Sequence, residues 1–148
     1  MVDGDLPDSV TGGLEAEAFP TSGQLARAIR LCIEAQLPFK ATAGLHQPLR
    51  HHDAAVGADA HGFFNLFFAA AATQAMFTVH LFSRWGEPGI VEILDQRSPE
   101  AFVVLENTIR GGGFILTEEY LAQSPLLRSF GSCSFEEPLE GLRSLGFL

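Results

Sequence analysis

The sequence predicts an α/β fold of about four βα units with a parallel sheet, resembling half of an eight-unit β/α barrel. Segments with strand character and segments with helical character alternate four times, as is typical of parallel strands covered by helices. The chain has 148 residues, of which 47% are hydrophobic, enough for one compact domain with a buried core. We therefore expect a single domain over residues 1–148, with residues 1–7 as a flexible tail.

The first βα unit combines a short strand within residues 8–14 and a helix over residues 23–36. Thr21 or Ser22 can cap this helix, because a hydroxyl oxygen there can accept from a free backbone N–H of the first turn. Apolar residues recur through it at helical spacing, giving one apolar stripe: Leu25, Ala28, Ile29, Cys32 and Ile33.

The second unit opens with a buried strand over residues 39–43, which delivers polar side chains to its C-terminal end. Side chains alternate along a strand, so Lys40 and Thr42 share one face. A loop over residues 44–60 follows, and then a long, alanine-rich helix over residues 61–77.

The second half of the chain supplies the third and fourth units. A β-rich segment over residues 101–105 and a hairpin return over 108–116, interrupted by three glycines, precede a helix over 117–127. A strand over 129–134 and a helix over 136–145 form the last unit.

One apolar segment of the sequence is long enough to resemble a membrane span. Residues 62–82 contain no Asp, Glu, Lys or Arg, so the segment is about as long as a bilayer span. Asn65, Gln74 and His80 would be costly in lipid, so we predict a helix buried in a core or an interface, and no membrane partner. The sequence Trp85-Gly86-Glu87-Pro88 breaks the helical pattern after it.

A parallel sheet of four strands exposes its edges, so we expect a second copy to complete a barrel or a shared sheet in a homodimer. The formal charge of −9 and the pI of about 4.8 argue against a nucleic-acid partner. Cys32 and Cys133 fit no metal-binding spacing, and residues 1–8 lack the features of a signal peptide. We therefore expect a cytoplasmic protein.

Four pieces of the sequence carry a resemblance that spans nearly the whole chain. They are Thr11-Gly12-Gly13 with Ala18-Phe19-Pro20, Pro38 to His46 with Pro48 and Arg50, His61-Gly62-Phe63 with Asn65, and Ser129 to Phe135 with Glu137-Pro138. In these pieces the chain resembles the C-terminal half of a family of uncharacterised bacterial proteins. The resemblance implies a β/α-barrel-like fold and brings no established activity.

The chain departs from that family at two places. The family tends to carry Lys and Arg ahead of the Thr-Gly-Gly turn, where this chain has Asp8 and Val10. The family also tends to have a second histidine after Gly-Leu-His, where this chain has Gln47. Both departures remove groups suited to binding an anion or a metal.

The sequence leaves three roles open for Lys40. With Thr42 and Gly44 it resembles the Schiff-base lysine strand of class I aldolases, in which a desolvated lysine attacks a carbonyl. It can instead bind a substrate anion, or pair with a carboxylate such as Glu106 or Glu136.

The histidines suggest a metal, but their spacing matches no standard motif, and we predict neither a metal nor a cofactor. More plausible roles for His46 and His61 are hydrogen bonds at the strand end and the helix start. His61 and Asn65 are four residues apart and share a helix face, so both can point into a cleft. Alternatively, Asn65 satisfies a neighbouring backbone group.

The turn Gly131-Ser132-Cys133-Ser134 resembles a strand-to-helix turn that holds an anion. Glu136 and Glu137 oppose this reading, because they already complement the positive end of the next helix. Cys133 as a nucleophile needs a nearby base, and the sequence identifies none.

Two functions follow from these patterns. The first is a self-associating half-barrel that binds a small anionic or carbonyl metabolite at the C-terminal ends of its strands. Its predicted ligand-binding residues are Thr42, Arg50, His61, Asn65, Ser132 and Ser134. The alternative is a barrel-type lyase, similar to an aldolase, with Lys40 and His46 as catalytic residues.

Overall fold

A computed structural model describes residues 8–10, 16–42, 44–123 and 125–148. The predicted tail, the Thr-Gly-Gly turn and Ala43 lie outside the described residues. In chain order the elements are β1 (Asp8–Val10), a 3-10 turn (Ala16–Ala18), α1 (Ser22–Glu34), β2 (Phe39–Thr42), β3 (His51–Asp53), β4 (Ala58–Ala60), α2 (Phe63–Thr78), α3 (Phe82–Leu94), a second 3-10 turn (Pro99–Ala101), β5 (Phe102–Leu105), β6 (Thr108–Gly111), β7 (Phe114–Thr117), α4 (Glu118–Ala122), β8 (Leu127–Phe130) and α5 (Glu136–Ser144).

The parallel sheet contains three strands among the described residues. Strand β2 lies at its centre, between β1 and β8, and both pairings are parallel. Phe39 and Ala41 point into the core and are 1% exposed, whereas Lys40 and Thr42 on the other face are half-buried. The predicted strand and its alternation are therefore confirmed.

The predicted fold class, a parallel half-barrel of four βα units, is wrong. Strands β3 and β4 form an antiparallel hairpin inside the segment predicted as a loop, and β5, β6 and β7 form an antiparallel meander. A two-residue link joins β5 to β6, and another, Gly112-Gly113, joins β6 to β7. Such links allow only antiparallel neighbours, because a parallel crossover needs a dozen or more residues. Gly112 and Gly113 both have positive φ, as a tight hairpin turn requires.

Helices α1, α2 and α3 pack together and bury the main core. Thr21 caps α1 in a capping box with Gln24, as its position predicts. Helix α2 buries every residue from 63 to 73 except the half-buried Phe67, including Phe68 and Ala69 at 0% exposure. Among the described residues, none of the helices has the length and apolarity needed to cross a membrane.

Helix α3 confirms the predicted break, because Gly86 has a φ of 65° in its middle. Helix α4 is shorter than predicted and ends at Ala122, and the strand that follows it begins earlier, at Leu127. Pro125 lacks the N–H that a continuing helix would use. The carbonyl of Leu126 instead accepts from the N–H of Phe39, which ties this segment to the parallel sheet.

Candidate functional site

An open cleft of about 610 Å³ lies where the chain leaves β2. Its walls are the segment from His46 to Ala54, one face of α5 and the side chain of Arg97. Helix α5 lies close to this segment because Gly141 faces Pro48, where even a Cβ atom would be 2.6 Å from the proline ring. The cleft therefore depends on a close approach between a loop and a helix that are far apart in sequence.

The predicted site residues divide into three groups in the structure. His46 and Arg50 line the cleft, and Ser132 contacts His46. His61 and Asn65 are buried, at 0% exposure. The described cleft lining does not include the remaining three: Lys40, Thr42 and Ser134.

His46 is the centre of a small polar cluster at the edge of the cleft. Its Nδ1 lies 2.9 Å from Oε2 of Glu137 and 3.4 Å from Oγ of Ser132. Sγ of Cys133 lies 3.7 Å from both Nδ1 and Nε2. Cys133 is exposed, and about a third of the His46 side chain is exposed. A thiol, an imidazole and a carboxylate therefore meet within reach of solvent.

Ser134 bonds to the first turn of helix α5. Its Oγ accepts from the backbone N–H groups of Glu136 and Glu137, at 3.2 and 3.3 Å. These are N–H groups that an anion at the helix start would need. An anion at this turn would have to compete with the Ser134 hydroxyl for these N–H groups, and it would also face the carboxylates of Glu136 and Glu137.

Arg50 lines the cleft and its side chain is 12% exposed. Its Nε is 3.3 Å from Oδ1 of Asp95, and its guanidinium is 4.0 Å from Oδ2 of Asp59. Asp59 also accepts from Arg97 at 2.5 Å and contacts His52 at 3.3 Å. Burial raises the pKa of Asp59, but the hydrogen bonds from His52 and Arg97 and the charges of both arginines outweigh it, so the pKa lies below its usual value.

His61 is held as a neutral imidazole. Its Nε2 is 2.8 Å from the carbonyl oxygen of Pro20, which can only accept, so Nε2 carries the hydrogen. Its Nδ1 then accepts from the guanidinium of Arg50, also at 2.8 Å. Burial lowers the pKa of His61, and the charge of Arg50 lowers it further; the Pro20 hydrogen bond and the charges of Asp95 and Asp59 oppose this and are outweighed.

Asn65 joins three parts of the backbone. Its Oδ1 accepts from the N–H of Arg50 at 2.9 Å, and its Nδ2 donates to the carbonyls of Ile93 and Gln96, both at 2.9 Å. The side chain therefore holds the cleft wall against the end of α3. Of the two alternatives raised by the sequence, the structure shows that Asn65 satisfies neighbouring backbone groups.

The histidines do not gather around one point. His51 donates to the carbonyl of Leu49, His52 contacts Asp59, and His61 is enclosed beneath the cleft. Across the described ranges, the His, Cys, Asp and Glu side chains form no group of three or more arranged to hold a metal.

Comparisons of the chain with protein-family models, with curated protein sequences and with solved structures found no match. The resemblance to an uncharacterised bacterial family stays a prediction.

Sequence reasoning missed the group around His46. It treated Cys133 as lacking a base and Glu137 as a helix-end charge. The base is 87 residues away in sequence, and its carboxylate partner is 91 residues from it. The sequence signal that points to this group is the polar turn just before α5. This turn follows β8, whose end lies beside the end of β2, and it carries Cys133.

Proposed function

We propose that the protein binds a small carbonyl-containing metabolite in the cleft beside His46. The observation that carries this proposal is the open cleft of about 610 Å³, a volume suited to a small molecule. Arg97 brings the N–H groups of its guanidinium to its wall. Such donors suit a carbonyl or carboxylate oxygen.

The charges around the cleft favour a neutral or singly charged ligand. Arg50 and Arg97 contribute two positive charges to the wall, and Asp53 and Glu137 contribute two negative charges. Asp59 and Asp95 lie directly behind the arginines and pair with them. Because the acids neutralise the bases, a multiply charged anion such as phosphate gains little here.

The test uses three probes of increasing charge: methyl pyruvate, pyruvate and inorganic phosphate. We expect the first two, at millimolar concentration, to shift the ring signals of His51 and His52 in ¹H–¹⁵N spectra, and phosphate to have the weakest effect. Arg97→Ala should reduce the pyruvate response, whereas the exposed Arg84→Ala, outside the cleft, should not. Equal responses of both variants, or no shift with either carbonyl probe, would contradict the proposal.

The lyase alternative, with Lys40 and His46 as catalytic residues, stays a proposal. Lys40 is the only lysine in the chain, so a Schiff base has just one lysine on which to form. Reduction with borohydride in the presence of pyruvate should then attach the probe to Lys40 and not to Lys40→Arg protein. Labelling of the N-terminal amine alone would count against this alternative.

Self-association is a second proposed role and rests on a different surface. The outer face of the β5–β7 meander carries Val103, Leu105 and Ile115, each 49% to 61% exposed. Arg110 pairs with Val103 and Ile115 across this face. We propose that a second copy of the chain covers it in a homodimer.

Light scattering over a range of concentrations tests the dimer. We expect the molar mass of a dimer for the wild-type chain and of a monomer for Ile115→Lys. The exposed Leu148→Lys, outside this face, serves as the control and should leave the dimer intact. A monomeric wild type would rule the dimer out.

We also propose a reducing compartment such as the cytoplasm. Cys32 and Cys133 are both free thiols, and Cys133 is exposed. An exposed thiol persists where glutathione and thioredoxin keep it reduced.

A further inference from the structure

The contacts of His46 assign a different role to each of its nitrogens. An ionised carboxylate can only accept, so in the neutral ring Nδ1 carries the hydrogen and donates to Glu137 across 2.9 Å. Nε2 then holds the free lone pair and is the nitrogen able to take a proton. Sγ of Cys133 lies 3.7 Å from that atom. This is the order nucleophile, base and orienting group found where a cysteine is activated for attack.

We propose that Cys133 is a nucleophile, that His46 is its base and that Glu137 positions the imidazole, for acyl transfer from a small ester or thioester. The inference rests on the proposed function in one respect, because the rest of the substrate would occupy the cleft that His46 and Glu137 line. It goes beyond that function by assigning a covalent reaction to it.

The sulphur does not yet lie on the lone-pair axis of Nε2. Its equal distances from Nδ1 and Nε2 place it to the side of that axis. The Cys133 side chain is exposed, so rotation about its Cα–Cβ bond can change the position of the thiol relative to the nitrogen. Catalytic hydrogen bonds are often long or misaligned before substrate binds, so this geometry suits a resting site.

The reaction proceeds in two balanced halves. In the first half, Nε2 of His46 takes the thiol proton as Sγ bonds to the acyl carbon. The C–O bond of the ester, or the C–S bond of the thioester, then breaks. The leaving group receives the proton from the imidazolium. In the second half a water molecule gives a proton to His46 as its oxygen attacks the acyl carbon. The C–S bond to Cys133 breaks, and the proton returns to Sγ. The net reaction is hydrolysis to an acid and an alcohol or thiol.

Glu137 acts through His46 and is a positioning residue. Its carboxylate fixes the ring tautomer and offsets the positive charge that His46 gains when it takes the proton. Glu137→Gln retains an acceptor oxygen and removes the charge. Its effect should therefore be smaller than that of His46→Gln, and largest at neutral pH.

The first experiment measures alkylation of Cys133 by iodoacetamide, mapped by peptide mass spectrometry. At pH 7 we expect His46→Gln to slow the reaction about tenfold, and Glu137→Gln to slow it less. His80→Asn, which changes an exposed histidine outside the cleft, is the control and should react as the wild type. At pH 10 thiols ionise without a base, so all four proteins should react alike if they are folded.

The second experiment uses p-nitrophenyl acetate as the acyl donor. We expect p-nitrophenol release with one acetyl group on Cys133, and neither with Cys133→Ser. Cys32, whose pKa is raised by burial, and the single lysine Lys40 are the internal controls and should stay unmodified.

Two results would overturn the inference. One is an alkylation rate of Cys133 that is the same in wild type and His46→Gln at pH 7. The other is acetylation that is not lost in Cys133→Ser. Iodoacetamide is too small to need the cleft, so a rate that depends on His46 supports the inference even if the carbonyl probes fail to bind. Binding of those probes without any such dependence would leave the proposed function standing alone.

Discussion

Two polar clusters meet at the cleft, and they differ in how completely their hydrogen bonds are satisfied. Beneath the cleft, His61 and Asn65 are fully buried, and the polar atoms of both side chains are bonded inside the protein. At its edge, Cys133 is exposed and its sulphur lies off the axis of the nearest base. The buried cluster fixes the fold, whereas the exposed cluster retains freedom to react. Burial with complete bonding thus separates structural polar groups from candidate functional ones.

The largest expected effect tests the buried cluster. Asn65→Ala removes three hydrogen bonds and leaves the N–H of Arg50 and two carbonyls without this partner in the core. We expect the free energy of unfolding to fall by about 3 kcal/mol. Urea denaturation followed by Trp85 fluorescence measures it, with the exposed Asn107→Ala as the control. Equal losses in the two variants would contradict a structural role for Asn65.

The second prediction concerns pH. The pKa of His61 is lower in the fold than in the unfolded chain, so below about pH 6.5 the unfolded state binds the extra proton. The contribution of neutral His61 to the free energy of unfolding is therefore complete above that pH. It is lost as the pH falls, at up to about 1.4 kcal/mol per pH unit. Asp59 does not interfere, because its lowered pKa acts below its usual value of 3.8.

His61→Gln provides the comparison for this prediction. The slope of stability against pH between about 7 and 5 should flatten in this variant. His52→Gln, whose side chain is 60% exposed, should keep the wild-type slope. Urea denaturation at several pH values gives the three slopes, and an unchanged slope in His61→Gln would refute the assignment.

The third prediction links the two clusters. Gly141→Ala places a methyl group against the ring of Pro48 and should push α5 away from the cleft wall. We expect a loss of about 1 kcal/mol in stability, together with slower alkylation of Cys133 at pH 7, because Glu137 moves with the helix. The control is Ser144→Ala, which also lies on α5. Gly146→Ala is unsuitable because the positive φ of Gly146 would strain an alanine. A change in stability with no change in alkylation would show that the helix position does not matter for the thiol.

The smallest effect tests the exposed cluster. Glu137→Gln should change the free energy of unfolding by no more than about 0.5 kcal/mol, since its pairing with His46 is half exposed. The same denaturation experiment measures this. A loss as large as that of Asn65→Ala would mean that both clusters are structural, and the contrast between them would fail.

Local patterns predicted most elements but not their arrangement. Thr21, Thr117 and the glycine pair at 112 and 113 mark two helix starts and a hairpin through bonds and angles within a few residues. The predicted fold class is wrong because this hairpin belongs to an antiparallel meander and not to a βα unit. Strand direction depends on which strands pair, and alternating elements alone do not specify it.

The candidate site was predicted only in part, for the same reason. His46 and Arg50, predicted as a catalytic and a ligand-binding residue, both follow the end of a buried strand and line the cleft, and their roles stay predictions. Cys133 and Glu137 had no visible partner, since the residue they meet is about ninety positions away.

The sequence by itself determined the helix caps, the buried strand β2 and the apolar helix α2, since propensity, capping and periodicity act over one or two turns. The tertiary structure alone decided that β5, β6 and β7 run antiparallel, that Asn65 is enclosed, and that α5 brings Glu137 to His46. These outcomes depend on packing between distant segments, where one close approach, such as Gly141 against Pro48, sets the position of a whole helix.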